Sequence, residues 1–78
     1  MKQYRILLTS INAVKEFVNL ASAQVFDVDL ISGRYIIDAK SIMGIFSLDL
    51  SHPITVEVRA DDAEAEAFGK KLEPYLVK

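Results

Sequence analysis

AKSIMGIFSLDL, Ala39 to Leu50, crowds large apolar side chains at Ile42, Met43, Ile45, Phe46 and Leu48 into one short segment. With Ser41 as N-cap, a helix from Ile42 to about Leu48 has a 3.6-residue period that puts Ile45 and Leu48 on one face and spreads Ile42, Met43 and Phe46 toward another. A helix of two turns on a small domain buries one side. The other side is expected to meet a larger core or a partner. Pro53 closes the segment, because it neither continues a helix nor donates to a strand ladder.

The flanking segments alternate. Upstream, Phe26, Val28 and Leu30 interleave with Asp27 and Asp29, and after Ser32-Gly33 the residues Tyr35, Ile37 and Ala39 interleave with Arg34, Ile36 and Asp38, which reads as a hairpin. Downstream, Ile54, Val56 and Val58 interleave with Thr55, Glu57 and Arg59, a last strand. A helix then begins at Asp61-Asp62, where Asp61 and Glu64 have capping-box spacing; Ala65, Phe68 and Leu72 form its core face, Glu66 pairs with Lys70 outside, and Pro74 ends or kinks it. At the front, Gln3 to Leu8 reads as a strand with Tyr4, Ile6 and Leu8 on one face. Ile11, Val14, Phe17, Val18, Ala21 and Val25 follow at helical spacing, capped by Ser10 or Asn12.

The order βαββαβα predicts an α+β open-faced sandwich, a four-stranded antiparallel sheet with three helices on one face, as a single domain over residues 1–78. Arg5, Asp27, Asp29, Arg34, Asp38, Glu57 and Arg59 fall on the opposite face, where cross-strand ion pairs are expected.

Seventy-eight residues allow one domain that buries about 60% of the surface its unfolded chain exposes. Hydrophobic residues at 51% exclude a disordered chain, and a net charge of −2 with scattered signs gives no footprint for nucleic acid or an anionic membrane. The absence of cysteine excludes disulfides, thiolate metal sites and cysteine nucleophiles. The N-terminus lacks a secretory apolar run, so the cytoplasm is the expected compartment. Paired carboxylates in a cleft, a phosphate-binding glycine loop and a histidine–carboxylate metal cluster are all missing from the pattern, so neither an enzyme nor a cofactor is expected.

Lys40 to Leu48, KSIMGIFSL, resembles the KSIMGVMSL-type segment of HPr, the histidine-containing phosphocarrier of the bacterial sugar phosphotransferase system. The segments SGRYIIDAK and VNLAS keep register with that family, and its fold has the same element order. The resemblance places the family's regulatory serine at Ser41, and it matches Ile42, Met43 and Phe46 to residues that HPr presents to its partners, while Ile45 and Leu48 look inward. It implies an HPr kinase or a transcriptional regulator as partner. In HPr the phosphoryl group rides on a histidine within GxHARPA at the start of the first helix. Here the same register reads TSINAVK, with Ser10 at the histidine's place, Asn12 at the arginine's and Ala13 at the proline's.

That replacement changes the chemistry. An imidazole nitrogen is a nucleophile near neutral pH and a good leaving group once protonated, whereas a serine ester holds phosphate too firmly to pass it on. The backbone amides beside Ser10 and Asn12 still suit weak anion binding, without the fork an arginine provides. His52, the one histidine of the chain, falls in a loop that the family fold places away from the first helix. Lys15 and Glu16 stand where the family has small or apolar contacts for its phosphoryl donor, and they add a desolvation cost to that docking. Three functions are thus open: a non-catalytic regulatory docking module with Ser41 as cap and switch, an active phosphocarrier with an unrecognised acceptor, and a homodimer built on the Phe46 patch.

Overall fold

The computed structural model describes residues 2–77, so the terminal residues of the expected 1–78 domain lie outside the described ones. The chain runs β1 (Lys2–Ile6), α1 (Ile11–Ser22), β2 (Asp27–Ser32), β3 (Tyr35–Asp38), α2 (Ile42–Phe46), β4 (Ile54–Arg59) and α3 (Asp62–Lys71), then a single 3-10 turn over Glu73–Tyr75. This is the expected βαββαβα order. A two-residue turn at Gly33-Arg34 sets the β2–β3 register, pairing Ser32 with Tyr35 and Leu30 with Ile37. Gly33 has φ +60, the one positive value among the described residues, and a left-handed first turn residue matches the twist of the strands it joins.

The four strands form one antiparallel sheet in the order β1-β4-β2-β3, so the last strand inserts between the first and second. Its inner face supplies Ile6, Val28, Leu30, Ile54, Val56 and Val58 to the core. Val14, Phe17 and Ala21 of α1, Ile45 of α2, and Ala65 and Phe68 of α3 cover them, with Leu72 completing the last helix. No polar or charged residue is buried among the described ones. Asp61 caps α3 by accepting the Glu64 amide at 2.8 Å, and Gly69 lets that helix approach β1 closely, since a Cβ there would lie 2.4 Å from the Tyr4 ring. Tyr4 fixes the approach by donating its hydroxyl to the Ala65 carbonyl at 2.9 Å.

The β1 edge of the sheet is blunted. The Leu7 amide donates to the Tyr75 carbonyl at 2.8 Å and the Val77 amide to the Arg5 carbonyl at 3.0 Å, so the end of the chain covers part of β1. The turn that leaves β3 is closed by the Asp38 carbonyl, which accepts the Ser41 amide at 3.0 Å.

Several expectations are corrected by the packing. Ile11, Val25 and Tyr35, assigned to apolar faces, are exposed, Val25 at 94%. Ile11 opens its helix and Val25 follows it, where no sheet lies beneath, and Tyr35 sits at the hairpin tip. The second helix stops at Phe46 rather than about Leu48, because the Ser47 and Leu48 amides bond three residues back to Gly44 and Ile45 in tighter turns. Glu66 pairs with Lys2 of β1 at 2.9 Å instead of with Lys70. On the open face, Asp29 lies directly opposite Glu57, and Arg59 bridges these like charges with contacts of 3.0 Å and 3.4 Å. Arg5, Asp27, Arg34 and Asp38 make no ion pair among the described residues; the Asp38 carboxylate instead accepts the Lys40 amide at 2.9 Å.

Candidate docking site at the first-helix N-terminus and the second helix

Register decides which loops meet. Ile6 at the end of β1 pairs with Ile54 at the start of β4, so the segment leaving β1 and the segment entering β4 emerge side by side. Leu7 to Ser10 therefore lies beside Leu50 and Ser51. Between them is an apolar groove of about 520 Å³, walled by Leu7, Leu8, Ile11, Val14, Phe46 and Leu50, with the hydroxyl residues Thr9, Ser10 and Ser51 at its border.

At one end of the groove stands the start of α1. Ser10, rather than Asn12, is the cap: its hydroxyl accepts the Ala13 amide at 3.0 Å while its carbonyl accepts the Val14 amide at 3.1 Å. Asn12 is exposed. On the other side lies α2, where the Ser41 hydroxyl accepts the Gly44 amide at 3.3 Å, the expected cap. Ile45 is fully buried and Leu48 packs partly against the core, as expected of an inward face. Met43 is 77% exposed and Phe46 42%. Ile42 is different: it is half-buried against the core, so the exposed part of the expected patch narrows to Met43 and Phe46, joined by Ile11 across the groove. Gly44 permits this close seating, since a Cβ there would come within 2.7 Å of the Ile37 side chain.

His52 follows Ser51, which lines the groove, but is not itself among the lining residues. Its loop borders the same groove as Ser10, through Ser51, because the β1–β4 pairing brings the two segments together. Its Nε2 lies 3.6 Å from the Asp49 carboxylate, and both side chains are exposed. Asp49 is held below the usual carboxylate range by hydrogen bonds from the Ser51 hydroxyl and then the Ser51 amide, with a smaller contribution from His52. Glu16 and Lys15 point to different uses. Tyr75 donates its hydroxyl to Glu16 at 3.1 Å, and burial followed by this carboxylate pushes the phenol up. Lys15, one turn beyond Ile11, is exposed and makes no ion pair among the described residues. Neither the Glu16–Tyr75 tie nor the Ser51 approach has a local signal in the chain, since each joins segments distant in sequence.

The sequence profile of the PTS HPr component phosphorylation site matches residues 10–77. The chain belongs to the HPr family. Among solved structures, this HPr-family fold is similar to the crystal structure of HPr-C-His from Thermoanaerobacter tengcongensis, with a TM-score of 0.75, 28% identity, and coverage of 92% of this chain and 90% of that one. A search of curated proteins returned no match. The chain is therefore of the phosphocarrier kind of the phosphotransferase system in family and fold. Among the described residues no group of histidine, cysteine, aspartate and glutamate is arranged to hold a metal ion, and no helix is long and apolar enough to cross a membrane.

Proposed function

We propose that this HPr-family chain is a regulatory docking module that does not relay phosphate through a histidine of the first helix. The observation that supports this reading is the Ser10 hydroxyl, engaged as the cap of α1 by the Ala13 amide at 3.0 Å; by the family resemblance, Asn12 and Ala13 stand where the family has arginine and proline. A serine ester there holds phosphate too firmly to pass it on. The amides around Ser10 and Asn12 offer weak anion binding and no more. Met43 and Phe46, with half-buried Ile42 behind them, form the surface on which a protein partner rests, and an HPr kinase or transcriptional regulator fits the family's use of that surface.

Incubation with Enzyme I and phosphoenolpyruvate, followed by intact-mass measurement, is expected to return the unmodified chain. An acid-labile phosphoryl adduct overturns this reading. The groove supplies a specific second reading, in which His52 is an unrecognised acceptor: its loop borders the α1 N-terminus and Asp49 stands 3.6 Å from one ring nitrogen. Loss of that adduct in His52→Ala would assign it there.

Ser41 serves as cap and, in this proposal, as switch. A phosphate on it gains from the amides of the first turn and sets nearly two negative charges beside Met43 and Phe46, so partner choice changes while the fold persists. HPr kinase and ATP are expected to add an acid-stable phosphate to the native chain and none to Ser41→Ala; an unmodified native chain leaves Ser41 as a cap alone.

A further inference from the structure

The free edge of β3 is self-complementary, and we infer that it pairs with the same edge of a second copy, joining the two sheets into one about a two-fold axis at Ile36. The hairpin fixes which backbone groups are free. Tyr35 and Ile37 pair with Ser32 and Leu30, and the Ala39 amide donates to the Val28 carbonyl at 2.9 Å, so the amide and carbonyl of Ile36 point away from β2. No backbone group among the described residues meets them, because β3 is the last strand of the sheet. Natural edges are commonly guarded by lysine, proline or a covering segment. Tyr35–Asp38 carries neither residue, whereas the end of the chain covers part of the opposite edge.

Charge selects both the second copy and its register. Asp38, Asp29 and Glu57 stand side by side across β3, β2 and β4. The cation that serves them, Arg59, reaches Asp29 at 3.0 Å and Glu57 at 3.4 Å and forms no pair with Asp38. One oxygen of the Asp38 carboxylate accepts the Lys40 amide at 2.9 Å, but no cation of the described residues answers its charge. Arg34 is likewise exposed and without an ion pair among the described residues. Both lie two residues from Ile36. An antiparallel two-fold at Ile36 therefore sets Arg34 of each copy opposite Asp38 of the other, at both ends of the contact. A slip of two residues in either direction sets Ile36 against a charge instead, and a parallel pairing sets arginine against arginine. The same axis lays Ile36 on Ile36 of the second copy and Tyr35 on its Ile37, covering two large side chains that are each 63% exposed. A foreign strand would answer the Ile36 backbone, but only one with a cation and an anion four residues apart answers Arg34 and Asp38, and this chain carries that pair itself.

Arg34 to Asp38 of each copy make a contact smaller than the about 800 Å² per partner of a stable interface, so the expected dissociation constant is roughly 0.1–1 mM. Sedimentation equilibrium of the full chain up to about 2 mM is expected to show a monomer–dimer equilibrium, and the amide NMR shifts that move on dilution should gather at residues 34–38. Arg34→Asp and Asp38→Arg each set like charges face to face at both ends and are expected to weaken self-association about tenfold or more. Mixed in equal amounts, the two variants regain both ion pairs and should dimerise about as tightly as the native chain. Ile36→Pro removes the axial amide without breaking a hydrogen bond to β2, and is expected to stay monomeric while keeping the native circular dichroism spectrum. Three results overturn the inference: a native chain that stays monomeric at the highest concentration, whether or not an added extended peptide shifts the same amides; a dimer whose dilution shifts lie at Met43 and Phe46 in place of residues 34–38; or an equimolar mixture no tighter than either variant alone.

Discussion

Phe68→Ala is expected to destabilise the chain by about 3–5 kcal/mol, the usual cost of truncating a buried phenylalanine. Phe68 is 1% exposed and meets Phe26 edge to face at a centroid separation of 5.8 Å, so the truncation loses transfer free energy, leaves a cavity, and removes an aromatic contact together. It also loosens a junction. Phe68 belongs to α3, and Phe26 belongs to the loop that leads into β2, so the pair fastens the last helix across the sheet to a segment far from it in sequence. A domain of this length has roughly 4–12 kcal/mol of stability in all, and the loss corresponds to roughly 12–40 °C in melting temperature. Thermal unfolding followed by circular dichroism measures it, with Met43→Ala as the exposed reference, expected within about 0.5 kcal/mol of the native chain. A Phe68 variant that melts with the reference would contradict the packing of α3.

The inner faces of the strands and the middle of α1 were legible because one pattern governs both period and burial there. Val14, Phe17 and Ala21 fall on the stripe that faces the sheet, and Val28, Leu30, Val56 and Val58 alternate inward. Period alone does not report where the sheet ends. Ile11 and Val25 have apolar character at helical spacing yet lie at or beyond the helix termini, and Tyr35 stands at the tip of an edge strand, so all three stay in water. Partner choice fails for a related reason. An i,i+4 rule pairs Glu66 with Lys70, but Lys2 reaches it from β1, and a local rule has no access to a residue 64 positions away.

The site was legible in the same uneven way. Both caps, Ser10 and Ser41, follow from side-chain chemistry at a helix start, and the outward-facing Met43 and Phe46 follow from a helix too short to bury two sides. The groove between them arises from a different cause, the Ile6–Ile54 pairing that sets two loops side by side. Sheet order carries that information, and the insertion of β4 between β1 and β2 appears in no local pattern.

Ser10→His combined with Asn12→Arg is expected to yield a chain that Enzyme I and phosphoenolpyruvate phosphorylate to near completion, where the native chain is expected to stay unmodified by them. The scaffold already provides the rest: amides at the start of α1 that face the incoming group, and an apolar groove beside them. The imidazole supplies a nitrogen that accepts and releases a phosphoryl group, at the loss of the Ser10 cap, about 1 kcal/mol. Arginine adds a charged fork across the phosphoryl oxygens. Hydrogen bonds of that kind are worth about 1.5–3 kcal/mol, so Ser10→His alone should be phosphorylated roughly 10–100-fold more slowly than the pair. Intact mass at neutral pH and after acid treatment reads both the extent and the bond, since a phosphoryl group on nitrogen is lost in acid and one on serine oxygen survives. Failure of a folded double variant to take phosphate, with Lys15 also replaced by alanine to remove the cation that opposes the donor's docking, would mean that position 10 does not correspond to the family's acceptor, and the reading of the native chain as a module without relay chemistry would lose its footing.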